Sequence, residues 1–332
     1  MIISRTPFRV SFFGGGTDYP AWYQEHGGAV LATTIDKYCY ISVRELPPFF
    51  DHRFRIVYSI VENVKQIDEI RHPAVRAVLT RLAVAKGLEI HHDGDLPARS
   101  GLGSSSAFTV GLISALHALE GRYTTSESLA TEAIHVEQCM LREAVGVQDQ
   151  ITTAFGGFNH ITFRSDGSFH INPMVLPAER LQTLQDHLML VFTGMSRIAG
   201  EVAQAQLDDL KHHQSDLRAV HEMVAEAIAI LASPARDLSE FGRLLHQAWT
   251  IKRTLSARVS NPAVDALYEA ARRAGAIGGK LLGAGGGGFM LLFVRPEERA
   301  RVTAALGERI VVPVKFESAG SKIVLYQPNG LS

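Results

Sequence analysis

The segment Asp95-Leu-Pro-Ala-Arg-Ser-Gly101-Leu-Gly103-Ser-Ser-Ser-Ala107 limits this chain more than any other. A short β-type run, Leu88–His91, leads into it, and Phe108, Leu112, Ala115, Leu116 and Leu119 lead out at helical spacing. The order is therefore strand, proline, Gly-x-Gly, triple serine, helix. A helix N-terminus presents free N–H groups and a partial positive charge, which suit a phosphate. Glycine lacks the Cβ that would hold a phosphate away. Serine hydroxyls add donors and oxygen ligands. This pattern predicts a phosphate cradle made by Pro97, Gly101, Leu102, Gly103, Ser104, Ser105 and Ser106. The plainer alternative is a loop with a capping serine.

Other nucleotide signatures do not fit. Gly275–Leu281 has the wrong spacing for a Walker loop and a leucine after Lys280. The protein-kinase motif set is missing. Gly14-Gly15-Gly16 lacks the spacing and later acidic residue of a dinucleotide fingerprint.

Composition narrows the class further. The chain has 332 residues and 46% hydrophobic content, enough for a sizeable core. Lys plus Arg number 33 against 34 Asp plus Glu, which argues against a nucleic-acid-binding surface. Cys39 and Cys139 read as two unpaired thiols. The N-terminal residues lack the apolar run of a signal peptide, and no stretch approaches the roughly 20 apolar residues of a membrane span. The expectation is a cytoplasmic protein with small-molecule partners, no nucleic acid, no membrane association and a possible homodimer.

Along the chain, Phe8–Phe13, Val30–Arg44 and Phe54–Ser59 read as strands, and Ala74–Lys86 as a helix ended by Gly87. Thr124 and Glu127 fit a capping box for a helix running to about Leu141. Residues 200–231 read as helical with one break near 213–216. Asn261-Pro262 starts a helix that stops at Gly275. After a glycine-rich loop at Gly278–Gly288, strands are expected at Phe289–Val294, Arg309–Phe316 and Lys322–Tyr326, with a helix at Pro296–Leu306. Strands mixed with helices predict an α+β protein, with a soft boundary near residue 190.

Pro97–Ala107 resembles the central motif of the GHMP kinases, the family of galactokinase, homoserine kinase, mevalonate kinase and phosphomevalonate kinase. Two further segments, Thr6–Pro20 and Gly278–Phe289, fall where that family has its other motifs. The resemblance implies a two-lobed fold. A ribosomal-S5-domain-2-like N-terminal half (1–190) would hold the nucleotide and sugar, followed by a ferredoxin-like C-terminal half (191–332). It also implies ATP and Mg²⁺ as cofactors.

The resemblance assigns roles as well. Asp149, in Gly146-Val-Gln-Asp149-Gln, is similar to the galactokinase Met-Asp-Gln turn and would deprotonate the acceptor hydroxyl. Arg9, in a strand that reads as buried, would meet a carboxylate near the reaction centre. Glu137 with Ser104 or Ser105 would hold Mg²⁺. Gly14, Gly15, Gly16, Thr17 and Asp18 stand where galactokinases have Gly-Glu-His-Thr-Asp, so a bulkier or differently oriented sugar is expected.

Gly-Gly-Gly-Thr-Asp-Tyr-Pro is similar to a subgroup that phosphorylates the anomeric hydroxyl of heptose 7-phosphate for surface-polysaccharide synthesis. A second phosphate would then need its own site. Thr193–Arg197 and Lys252-Arg253 are the candidates, with Lys37 touching the sugar and Gly285 and Gly286 shaping the site. Trp22 and Tyr23 stand as either a sugar platform or core. The rival readings are a kinase for L-fucose or a hexose, a catalytically silent sensor and, more remotely, an isoprenoid-branch decarboxylase.

Overall fold

The computed structural model describes residues 1–194 and 213–328. In chain order its elements are β1 (Ile2–Phe13), α1 (Pro20–His26), β2 (Gly28–Glu45), β3 (Phe54–Val57), β4 (Val61–Val64), α2 (Pro73–Arg81), β5 (Leu88–Gly94) and α3 (Ser104–Leu119). Next come α4 (Ser126–Ile134), α5 (Gln148–Phe155), β6 (Phe158–Phe163), β7 (Phe169–Pro173), α6 (Ala178–Asp186) and β8 (Leu188–Phe192). After the undescribed stretch follow α7 (Gln214–Ala232), α8 (Ser239–Thr254), α9 (Pro262–Arg273), β9 (Ala276–Leu281) and β10 (Phe289–Val294). The described chain ends with α10 (Arg299–Ala305), β11 (Val311–Val312), β12 (Phe316–Glu317) and β13 (Lys322–Tyr326). The mixture is α+β, as the sequence predicts.

Two sheets organise the described residues. The first runs β13-β1-β2-β5-β3-β4, with β12 and the β6–β7 hairpin also joined through the long strand β2. The second runs β11-β8-β10-β9. α3 lies against β1 and β2 and is buried on almost every side from Ser106 to His117. Its sequence is apolar all round, as a helix enclosed by a domain must be. Leu102, Phe8 and Phe12 are wholly or almost wholly buried, and Phe12 meets Phe241 of α8 edge-on at 5.5 Å, so the core is continuous between the two sheets.

Several expectations shift. The expected division at 190/191 does not separate the sheets, because β8 starts at Leu188 and β12 and β13 return to the first sheet. The expected strand at Arg309–Phe316 is two short strands in different sheets, separated by Pro313. The capping residue of α4 is Thr125, whose hydroxyl accepts the Ser128 N–H, one residue later than expected. The helix predicted to reach Leu141 gives way to a wide π turn at His135–Met140. Helix 74–86 ends at Arg81, well before Gly87. At α9 the expectation holds in detail: the Asn261 side chain accepts from Ala263 and Val264, Pro262 is the first helical residue, and Gly275 follows with φ +113°. The first part of the predicted helical stretch 200–231, up to residue 212, lies outside the described residues; the larger part, from Gln214, is α7.

Candidate active site

The Gly/Ser loop folds as its composition dictates. Gly101 and Gly103 take φ of +82° and +72°, and α3 starts directly after Gly103. The first-turn N–H groups of α3 are thus left to a ligand. Leu102 is wholly buried and pins the loop to the core, while its carbonyl accepts the Arg9 N–H at 3.0 Å. Pro97 lies on the exposed approach to the loop. Ser104 Oγ accepts the Arg99 N–H at 3.1 Å, which braces the turn, and Arg99 has a left-handed φ of +58°.

The C-terminal glycine loop packs back to back with it. A Cβ on Gly101 would lie 2.5 Å from the Leu282 carbonyl oxygen, and one on Gly283 would lie 2.5 Å from Gly101 Cα. The Phe289 N–H donates to the Ser100 carbonyl. Only paired glycines allow two main chains to approach this closely. Gly285 and Gly286 are held elsewhere: Gly286 N–H donates to Val259 O at 2.8 Å and its carbonyl accepts from Asn261 Nδ2. A Cβ on Gly285 would lie 2.7 Å from that same Val259 oxygen.

Arg9 and Asp149 form a two-pronged pair at the start of α3. Arg9 Nε donates to Asp149 Oδ1 and Nη2 to Oδ2, each at 2.6 Å, while Nη1 donates to the Gly101 carbonyl. The planar guanidinium thus links the carboxylate to the phosphate loop. Arg9 is 4% exposed and the Asp149 side chain 26% exposed, so the pair has one open side. A Cβ at Gly103 would lie 2.9 Å from Arg9 Cγ and 3.5 Å from Asp149 Oδ2; the glycine admits the pair to the helix N-terminus. Sequence reading put Asp149 just past a helix. It stands in the first turn of α5, near that helix's positive end.

The first glycine motif is turned mostly inward. Thr17 is fully buried, donating to the Gly14 and Ala29 carbonyls and accepting the Ala29 N–H. Asp18 is 1% exposed; its Oδ1 accepts the Gly16 N–H at 2.9 Å and its Oδ2 the Gln148 N–H at 3.3 Å. Burial pushes the Asp18 carboxyl up, with the Gly16 amide pulling it back. Both residues fasten the motif, Thr17 to β2 and Asp18 to the start of α5. Gly15 and Gly16 remain on the open side. The space beside Gly16 is filled by Leu217, whose Cδ2 lies 2.9 Å from a would-be Cβ, while Gly15 has only ordinary contacts. Room is thus made at Gly15, not at both. Trp22 and Tyr23 are buried, against His26 and Phe163, and are core.

Glu137 sits in the π turn at 1% exposure. Its Oε2 accepts from Ser106 Oγ at 2.9 Å and from Gln150 Nε2, while Oε1 is enclosed with no hydrogen-bond partner among the described residues. Burial pushes its carboxyl up to about 7. The serine that reaches it is Ser106, not Ser104 or Ser105. The helical rotation carries Ser106 to the inner face and leaves Ser105 exposed. An enclosed carboxylate oxygen without a partner beside a serine is a donor set that fits a hard divalent cation.

Of the other expected residues, Lys37 pairs with Asp36 at 3.1 Å, and Arg253 pairs with Asp265 at 3.3 Å and lies over Trp249. Both are engaged in local packing. Lys252 donates to the Leu281 and Gly283 carbonyls, clamping the base of the C-terminal loop. Arg197 lies outside the described residues.

Lys280 is the residue that sequence reading missed. It is 7% exposed, and its ammonium donates to the Phe12 carbonyl at 2.9 Å. Burial, with the nearby Arg9 charge adding to it and Asp18 opposing it, pushes the ammonium down to about 7. Burial likewise holds Lys252 well below the usual lysine range, with Lys280 and Arg9 adding to the effect. Arg9, Lys252 and Lys280 are therefore grouped beside the phosphate loop, and their mutual repulsion adds to burial in favouring the neutral form of the two lysines. The only sequence signal was a lysine between glycines and apolar residues, in a stretch examined as a poor Walker match.

Comparison with known proteins agrees with this geometry. Residues 64–157 match the GHMP kinases N terminal domain and residues 203–311 the GHMP kinases C terminal model. The chain is 30% identical to D-glycero-alpha-D-manno-heptose 7-phosphate kinase of Campylobacter jejuni over 92% of this chain and 93% of that protein. It is 26% identical to the bifunctional fucokinase/GDP-fucose pyrophosphorylase of Arabidopsis thaliana, across 89% of this chain but 30% of that larger protein. A D-glycero-D-manno-heptose 1-phosphate kinase structure from Bacteroides thetaiotaomicron superposes with a TM-score of 0.79 at 22% identity, covering 97% of this chain and 98% of the other. The chain belongs to the GHMP kinase family and has the GHMP kinase fold.

Proposed function

We propose that this chain transfers the γ-phosphoryl group of ATP to the anomeric hydroxyl of D-glycero-α-D-manno-heptose 7-phosphate, giving the 1,7-bisphosphate. The observation that carries the kinase reading is the Arg9–Asp149 pair, held 2.6 Å apart at the N-terminus of α3 through the opening at Gly103. The substrate reading draws on the 30% identity to the Campylobacter jejuni heptose 7-phosphate kinase along nearly the whole of both chains.

In this reading the first-turn amides of α3, with Gly101 and Gly103, hold the nucleotide phosphates. Asp149 keeps two oxygens on Arg9 and still has lone pairs free to accept the sugar hydroxyl's hydrogen bond. As the sugar oxygen bonds to Pγ and the bond from Pγ to the bridging oxygen breaks, the hydroxyl proton passes to Asp149 and ADP leaves. Arg9 and Lys280 offset the negative charge that gathers there. Glu137 Oε1 and Ser106 would hold Mg²⁺, which when bound neutralises phosphate charge.

The test is ADP release with Mg-ATP against heptose 7-phosphate, mannose, L-fucose, galactose and mevalonate. Selective turnover of heptose 7-phosphate is expected. Turnover of an unphosphorylated sugar alone would overturn the substrate, and silence on all five would favour a sensor.

A further inference from the structure

We propose that Ser11 and Gln148, flanking Gly15, form a neutral polar notch that binds one ring hydroxyl of the sugar, a neighbour of the hydroxyl that is phosphorylated. This rests on the sugar-kinase reading above and adds a specificity site to it.

Ser11 is 6% exposed and its Oγ has no hydrogen-bond partner among the described residues. Gln148 Oε1 is likewise enclosed and unpartnered. Burying such groups unpaired is costly, so two of them at one spot need a reason. Both border the same glycine. A Cβ on Gly15 would lie 3.7 Å from Gln148 Nε2 and 3.9 Å from Ser11 Oγ. The two side chains thus converge on space that Gly15 leaves open.

The placement relative to the reacting groups is fixed by the chain. Ser11 follows Arg9 by two residues on β1, so both project from the same face, roughly 6–7 Å apart along the strand. Gln148 immediately precedes Asp149, and its own N–H is anchored on Asp18. In this proposal the anomeric hydroxyl meets Asp149 and a hydroxyl one or two ring carbons away enters the notch. The chemistry is that of a hydroxyl, since serine and glutamine offer donors and acceptors and no charge. An anion would find its countercharge at Arg9 and Lys280 instead.

The experiment uses the full chain, with steady-state kinetics and nucleotide-free calorimetry on heptose 7-phosphate and its 2-deoxy and 3-deoxy analogues. Ser11→Ala, which only deletes an oxygen, should raise the sugar KM about tenfold and leave the KM for ATP unchanged. One deoxy analogue should lose as much with wild type and lose nothing further with Ser11→Ala. Gly15→Ala has no left-handed backbone to strain, and it should also weaken sugar binding selectively, by filling the notch. Unchanged sugar KM in both variants, or analogue and substitution losses that simply multiply, would overturn the notch. If wild type phosphorylates another sugar of the panel instead, the heptose reading fails alone, and the same cycle on monodeoxy forms of that sugar decides the notch. If no sugar binds wild type, both readings fall.

Discussion

Asp18 and Gly146 touch so closely that a Cβ on Gly146 would lie 1.9 Å from Asp18 Oδ2. The buried carboxylate of the first glycine motif is thereby seated under the turn that delivers Asp149. Gly146→Ala is expected to cost about 1–3 kcal/mol of stability through overpacking and to lower kcat by displacing Asp149. Urea midpoints read beside kcat check this, and a variant with wild-type midpoint and rate would sink the seating role.

Asp149→Asn keeps the shape and removes the proton acceptor. A fall in kcat of about 10²–10⁴-fold is expected, with ATP binding retained in a fluorescent-nucleotide titration. Arg9→Lys should also be severe, because one ammonium cannot replace the fork that spans Asp149 and the Gly101 carbonyl.

At Gly103 both the backbone (φ +72°) and the neighbouring Arg9 Cγ exclude a side chain. Gly103→Ala should therefore raise the KM for ATP by about tenfold or more, because a Cβ obstructs the cradle. A KM rise confined to the sugar would contradict the assignment.

Lys280 makes stability depend on pH in a stated direction. Its folded value is about 7, against an ordinary 10.5. Below about pH 7 both states are protonated and the full cost of burying the cation is present. Between about 7 and 10.5 the unfolded chain holds a proton that the folded chain has lost, so stability rises with pH. Lys280→Met should reduce that rise, leaving the share that Lys252 contributes. Urea midpoints at pH 7, 8 and 9 for both proteins give the answer, and parallel curves would show that Lys280 does not titrate there.

Glu137→Gln removes the charge that the enclosed Oε1 would offer a cation. Half-maximal activity should then need about tenfold more Mg²⁺, the scale of change seen when a metal site loses a partner. An unchanged Mg²⁺ titration would move the cation elsewhere.

Much of this site was legible because it is made of backbone. Glycines with no side chain to pack, a helix opening at serines and a proline after an asparagine each have few structural solutions, and the glycine turn and helix start at Gly101–Ser106 and the helix start at Asn261–Pro262 read correctly. What was not legible depended mostly on partners distant in sequence. Nothing near Thr17 or Asp18 says that Ala29 and Gln148 will hold their polar atoms. Lys280 passed as one more residue of a glycine-rich loop because its companions, Phe12, Arg9 and Asp18, are more than 260 residues away. Ser106 displaced Ser104 and Ser105 beside Glu137 because helical phase, not composition, chooses which serine faces inward.

The pairing of β13 with β1 bears on how the molecule is made. β1 carries Arg9, and the outer edge of its opening residues, Ile2–Arg5, is closed by Lys322–Tyr326, some 300 residues downstream. During vectorial synthesis that edge stays open until the last strand has left the ribosome. The strand bearing the arginine is thus among the last to be sealed, and such long-range closure is slow and exposed to intermolecular pairing. A nascent chain stalled before residue 322 should therefore depend on chaperones far more than the released protein does.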